Sequence, residues 1–188
     1  MPKTPPTSPS TLEREERKRL IAAIIQESPS GRLNGRTRLF KVYWLAHLFY
    51  WKHHEGLLTA SHGMVHMPNG PGIDKHDDLF FEMVMDGQIS LSTRTAGPFE
   101  EDVFKSLKRV EVSASTRDSI KRAFRFLNGL NATQISDLAH DYSTSWKDTS
   151  SGQPLDIYLD LQSEKTLQEN KRLLALAKAQ IHDAFARV

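Results

Sequence analysis

The chain has no cysteine, so disulfide bridges, thiolate zinc sites, iron–sulfur clusters and a cysteine nucleophile are all excluded. It also lacks any long hydrophobic run. The longest, Val42 to Trp51, is broken by His47 and is half of what a spanning helix of about 20 residues requires. An excess of one charge is missing as well, with 25 basic against 23 acidic residues, so net charge alone points to no nucleic-acid partner. Neither a Walker loop nor GxGxxG occurs to cradle phosphate, and no GxSxG elbow presents a serine nucleophile. What remains is an ordinary globular composition, 38% hydrophobic and 26% charged over 188 residues, enough for one domain with a real core. The proline-rich start MPKTPPTSPS has no apolar stretch of secretory type, and with no cysteine either the cytoplasm is the expected compartment.

Local signals divide the chain into a tail over 1–10, a domain over 11–160 and a helical appendage over 161–188. Ser10 and Glu13 fit a capping box, so a helix is expected from Thr11. It should bury Leu12, Leu20, Ala23 and Ile24, leave Glu13 to Arg19 solvated, and stop before Ser28-Pro29. Asn34 is placed to cap a second helix, Gly35 to His54, whose apolar and aromatic residues wrap nearly its whole circumference. Leu57 to Met67 has a mixed pattern open to short extended segments, and Asn69-Gly70-Pro71-Gly72 reads as a turn. A helix over Asp74 to Met85 follows, then Asp86-Gly87 and a strand at Ile89, Leu91 and Thr93. That helix-turn-strand order resembles a helix and wing. After the Ala96-Gly97-Pro98 turn, Phe99 to Val112 fits helix or strand.

Ser115 with Asp118 marks another helix start, running to Leu127, and Asn131 or Thr133 caps a shorter one through Asp141. From Leu161 a long final helix is expected, with Leu167, Leu174 and Ile181 seven apart, a stripe suited to docking on the domain or to self-association. The predicted fold is mainly α, of α+β type. It is a compact helical domain around a central aromatic helix, with a small antiparallel sheet and a long C-terminal helix.

Chemistry-bearing residues are present without a recognisable constellation. His62 and His66 are four apart, with His53, His54, His76, Asp77 and Asp78 nearby, but this spacing converges on a metal only in a helix. Ser61-His62-Gly63 argues against one, so no metal or cofactor is expected. Glu100, Glu101 and Asp102 read as a charged helix start or turn. Residues 1–60 hold ten Lys/Arg against five acids, whereas 61–150 hold ten against thirteen. Arg32, Arg36, Arg38 and Lys41, and separately Lys121, Arg122 and Arg125, together with the helix-and-wing order, leave a winged-helix-like nucleic-acid-binding protein as the alternative function.

Thr37-Arg-Leu39-Phe-Lys41-Val-Tyr-Trp44-Leu-Ala46-His47 resembles the opening signature of the Panacea domain, the SocA-like antitoxin family. Gly70-Pro71 is similar to that family's glycine–proline turn, and Asp86-Gly87-Gln88-Ile89 to its turn into a strand. Ile135, Ser136, His140 and Trp146 resemble its closing segment, in the same order. Tyr43 and Trp44 depart from the usual leucine and tyrosine, and Asn69 replaces a frequent aromatic. The resemblance implies a non-enzymatic cytoplasmic antitoxin that neutralises a cognate protein toxin by contact, in some members by delivering it to a protease. Lys41, Trp44, Gly70, Pro71, His140 and Trp146 would then chiefly hold the fold, with partner contact as their other use. Leu167, Leu174 and Ile181 would offer a partner or oligomer stripe.

Overall fold

The computed structural model describes residues 10–161 apart from residue 55. Helix α1 (Thr11–Gln26) opens on a reciprocal capping box: Ser10 Oγ accepts from the Glu13 N–H at 3.2 Å, and the Glu13 carboxylate accepts from the Ser10 N–H at 2.7 Å. It stops before Ser28-Pro29, where Ser28 Oγ donates to the Ile25 carbonyl at 2.8 Å. Its buried run is Leu20 to Ile25, whereas Leu12 is left exposed. The preceding charge run is not all solvated. Arg17 lies buried against Gly63, and Lys18 is buried while reaching Glu15, Glu82 and Asp86.

Strand β1 (Arg32–Asn34) leads into helix α2 (Arg36–His54). Asn34 does not cap α2: it ends the strand, and its Oδ1 is buried without a hydrogen-bond partner. Instead the Gly35 N–H donates to the Asp102 carbonyl at 2.8 Å, pinning the entry to α2 on a neighbouring strand. Helix α2 buries every residue from Leu39 to Phe49, Lys41 and His47 included.

The expected single small sheet is overturned, because the described residues form two antiparallel sheets. Strands β4 (Ile89–Ala96) and β5 (Phe99–Ser106) pair along eight residues, and β1 joins the other edge of β5 to give the order β1-β5-β4. Gly97, at φ +63°, opens their two-residue loop, a position favouring glycine. Glu100, Glu101 and Asp102 are therefore strand residues rather than a helix start. The second sheet is a hairpin of β2 (Met64–Met67) and β3 (Gly70–Ile73) around Pro68 and Asn69. Gly70 and Pro71 thus belong to a buried strand, beyond the turn itself.

Helix α3 (His76–Met85) packs Leu79, Phe80 and Met83 inward. Helix α4 (Ala114–Phe126) is capped by Ser113 rather than Ser115, its Oγ accepting from the Thr116 N–H at 3.0 Å. Asp118 instead pairs with Arg122 one turn on. Helix α5 (Ala132–Tyr142) has an Asn131–Gln134 capping box, and α6 (Thr144–Lys147) and α7 (Tyr158–Leu161) are single turns. No long C-terminal helix occurs among the described residues. The stripe of Leu167, Leu174 and Ile181 lies outside them. No described helix is long and apolar enough to cross a membrane.

Candidate functional site

The β2–β3 hairpin is held by its main chain. Lys41, on α2 and only 1% exposed, donates from Nζ to the Pro71 carbonyl at 2.8 Å. Ser136 on α5 donates from Oγ to the Asn69 carbonyl at 3.0 Å, and His140 one turn later donates from Nε2 to the Pro68 carbonyl at 3.1 Å. Trp146 on α6 donates from Nε1 to the Met67 carbonyl at 2.8 Å. An amine, a hydroxyl, an imidazole and an indole thereby satisfy four carbonyls around one turn. Burial pushes the Lys41 pKa down to about 7, since no carboxylate offsets its desolvation.

Gly70 makes this closure possible. Its φ is +92°, and a Cβ there would lie 3.0 Å from both Ala139 Cβ and Lys41 Cε. Only glycine fits between α2 and α5 in that conformation. The indole of Trp146 is also stacked on two imidazoles, His140 at 4.1 Å and His66 at 4.6 Å between ring centroids. His66, which the sequence offered as a metal ligand, is thus a stacking partner.

Trp44 stands apart from this cluster. Its Nε1 donates at 2.8 Å to Asp160, a buried carboxylate that also accepts from the Ser145 N–H and from the hydroxyls of Ser143 and Ser145. Burial raises the Asp160 pKa while these bonds oppose the shift. Ser143 Oγ in turn accepts from the Trp146 N–H at 3.1 Å, so both tryptophans are tied to the same short turn. Asp160, Ser143 and Ser145 carried no signal in the sequence beyond the need of the Trp44 indole for an acceptor.

The other histidines are dispersed. His62 Nδ1 accepts from the Met64 N–H, His76 packs on Phe40 and Phe80, and His53 meets Arg122. His47 is wholly buried, its Nδ1 accepting from the Leu58 N–H at 3.2 Å, and burial lowers its pKa to about 3. Among the described residues no group of three or more His, Asp or Glu side chains is placed to hold a metal.

The basic cluster at the start of α2 is engaged internally. Arg36 pairs with Asp77 and Asp102, Arg38 donates to the Leu127 and Leu130 carbonyls past the end of α4, and Lys41 is buried. The groove of about 980 Å³ beside it is walled by Arg36, Arg38 and Arg94 but also by Glu100, Glu101 and Asp102. Arg94 is itself bound to Glu101. No protein-family profile, no curated protein and no solved structure matches this chain.

Proposed function

We propose that this domain is a Panacea-like antitoxin that neutralises a cognate protein toxin by direct binding in the cytoplasm. The observation that carries the reading is the convergence of Lys41, Gly70, Pro71, His140 and Trp146, spread over a hundred residues, on one hairpin. Motif residues that hold one piece of architecture are what a shared fold signature consists of. Their donor atoms are spent on backbone carbonyls, which leaves recognition to the surface rather than to reactive side chains. Delivery of the bound toxin to a protease belongs to the same proposal.

Co-expression with the product of the neighbouring gene tests it. Growth rescue with co-purification of the two proteins is the expected result, and the absence of both overturns it. Nucleic-acid binding has one observation in its favour, the α3-β4-β5 order of helix and hairpin. Against it, Arg36 and Arg38 are already committed, and the first half of β5 carries Glu100, Glu101 and Asp102. Binding to duplex DNA that weakens steeply with salt would restore it.

A further inference from the structure

Against the loop over residues 57–63 lies a polar cluster that the hairpin clamp does not use. Arg17 on α1 is only 2% exposed, and its Nε is enclosed without a hydrogen-bond partner. His47 on α2 is wholly buried, and its Nε2 is enclosed in the same way. One path of contacts joins them. The guanidinium fills the space that a Cβ on Gly63 would take, and the neighbouring His62 carbonyl accepts from the Tyr43 hydroxyl at 3.0 Å. The Tyr43 ring then packs on His47 at 4.9 Å between centroids. His47 and His62 each accept at Nδ1, from the Leu58 and Met64 N–H groups, so the neutral rings carry their proton on Nε2. Burial holds both neutral. It lowers the His47 pKa to about 3 and also lowers that of His62, where Asp156 opposes the shift and the Arg17 charge adds to it.

The cluster thus holds a guanidinium and two imidazole N–H donors, and among the described residues no acceptor reaches them. A buried cation without a counter-charge is strongly unfavourable, and buried donors call for a partner. Glu16 and Asp156 bring negative charge near, but Glu16 accepts from the Ala60 N–H at 2.8 Å and Asp156 from the Tyr158 N–H at 3.1 Å. Neither pairs with Arg17. Charge balance selects the missing group. One negative charge neutralises one guanidinium, whereas a dianion such as sulfate would leave a surplus beside Glu16 and Asp156. A carboxylate supplies that one charge and two acceptor oxygens in a shape that matches a guanidinium. The covering loop gives a way in: residues 57–62 make no main-chain to main-chain hydrogen bond among the described residues. They are held through Glu16, His47 and Tyr43 instead. We propose that Arg17, His47 and His62 bind the carboxylate of a small monocarboxylic acid between α1, α2 and this loop. The site does not depend on the antitoxin reading.

The test uses the full ¹⁵N-labelled chain at pH 7, with sodium acetate replacing sodium chloride at constant ionic strength. Acetate is expected to shift the imidazole Nε2 resonances of His47 and His62 saturably and to leave His53 and His54 unmoved. Sulfate at the same ionic strength is expected to move neither pair. Arg17→Met keeps the bulk of the side chain and removes its charge, so it is expected to be at least as stable as wild type in chloride. The thermal midpoint is read as the difference between wild type and this variant, which cancels the general effect of the salt. At saturating acetate wild type is expected to gain about 2–4 °C over the variant. Absence of a saturable shift at His47 and His62, an equal shift with sulfate, or an acetate response retained in Arg17→Met overturns the proposal. Should the variant not fold, the ring shifts of wild type in acetate against sulfate decide alone.

Discussion

Gly70 occupies the tightest place in the clamp, between Lys41 Cε and Ala139 Cβ, in a backbone region that side chains resist. Gly70→Ala combines a strained φ with two close contacts, and a loss of about 2–4 kcal/mol is expected by urea denaturation. Gly97 also has positive φ, +63°, but a Cβ there would meet nothing within 4 Å. Gly97→Ala therefore pays only the conformational part and serves as the control, expected at about 1–2 kcal/mol. An equal loss at both positions would mean that the packing around Gly70 contributes nothing.

At the scale of elements, the hairpin β2–β3 depends on donors from three helices, α2, α5 and α6, rather than on its two strands alone. An isolated two-stranded hairpin is marginal in water. His140→Ala removes one donor and one ring of the indole stack together. Hydrogen exchange is expected to quicken at the hairpin amides by about tenfold, with the α4 amides unchanged; uniform quickening would show a global loss instead. His140→Gln, which retains a donor but not the ring, is expected to fall between.

The elements also differ in how far they could be read from residues alone. The capping pairs Ser10–Glu13 and Asn131–Gln134 act within one turn, so their signal is local and complete. Strand β3 is Gly70-Pro71-Gly72-Ile73, a composition that means a turn everywhere except under tertiary contacts such as the Lys41 bond. Asn34 has the right chemistry for a helix cap but is held in strand pairing with Val103. Within the site, the side chains of Lys41, His140 and Trp146 and the Gly70-Pro71 pair stand out in the sequence, whereas the target of the three donors does not, because it is main chain. Asp160 joins Trp44 across 116 residues, a separation that no local pattern encodes.

For the whole molecule, buried Lys41 and His47 set the dependence of stability on pH. His47 falls from 6.5 to about 3 on folding and Lys41 from 10.5 to about 7. Between each pair of values the unfolded chain binds the extra proton, so stability rises with pH across both windows. Each penalty is complete below its folded value. Asp160, whose pKa is raised, contributes in the opposite sense at the acidic end. Denaturation midpoints are therefore expected to climb from pH 7 towards 10, and Lys41→Met to abolish that climb. A wild-type profile that is flat or falling over this range would contradict the assignment.

The four donors around the turn touch only oxygens that every amino acid possesses. Pro68 and Asn69 point their side chains outward, unused by the clamp. The tip is therefore anchored by shape and indifferent to spelling: its two outer letters are free to drift in evolution, or to be rewritten as a grafted epitope, while Gly70 beside them stays fixed.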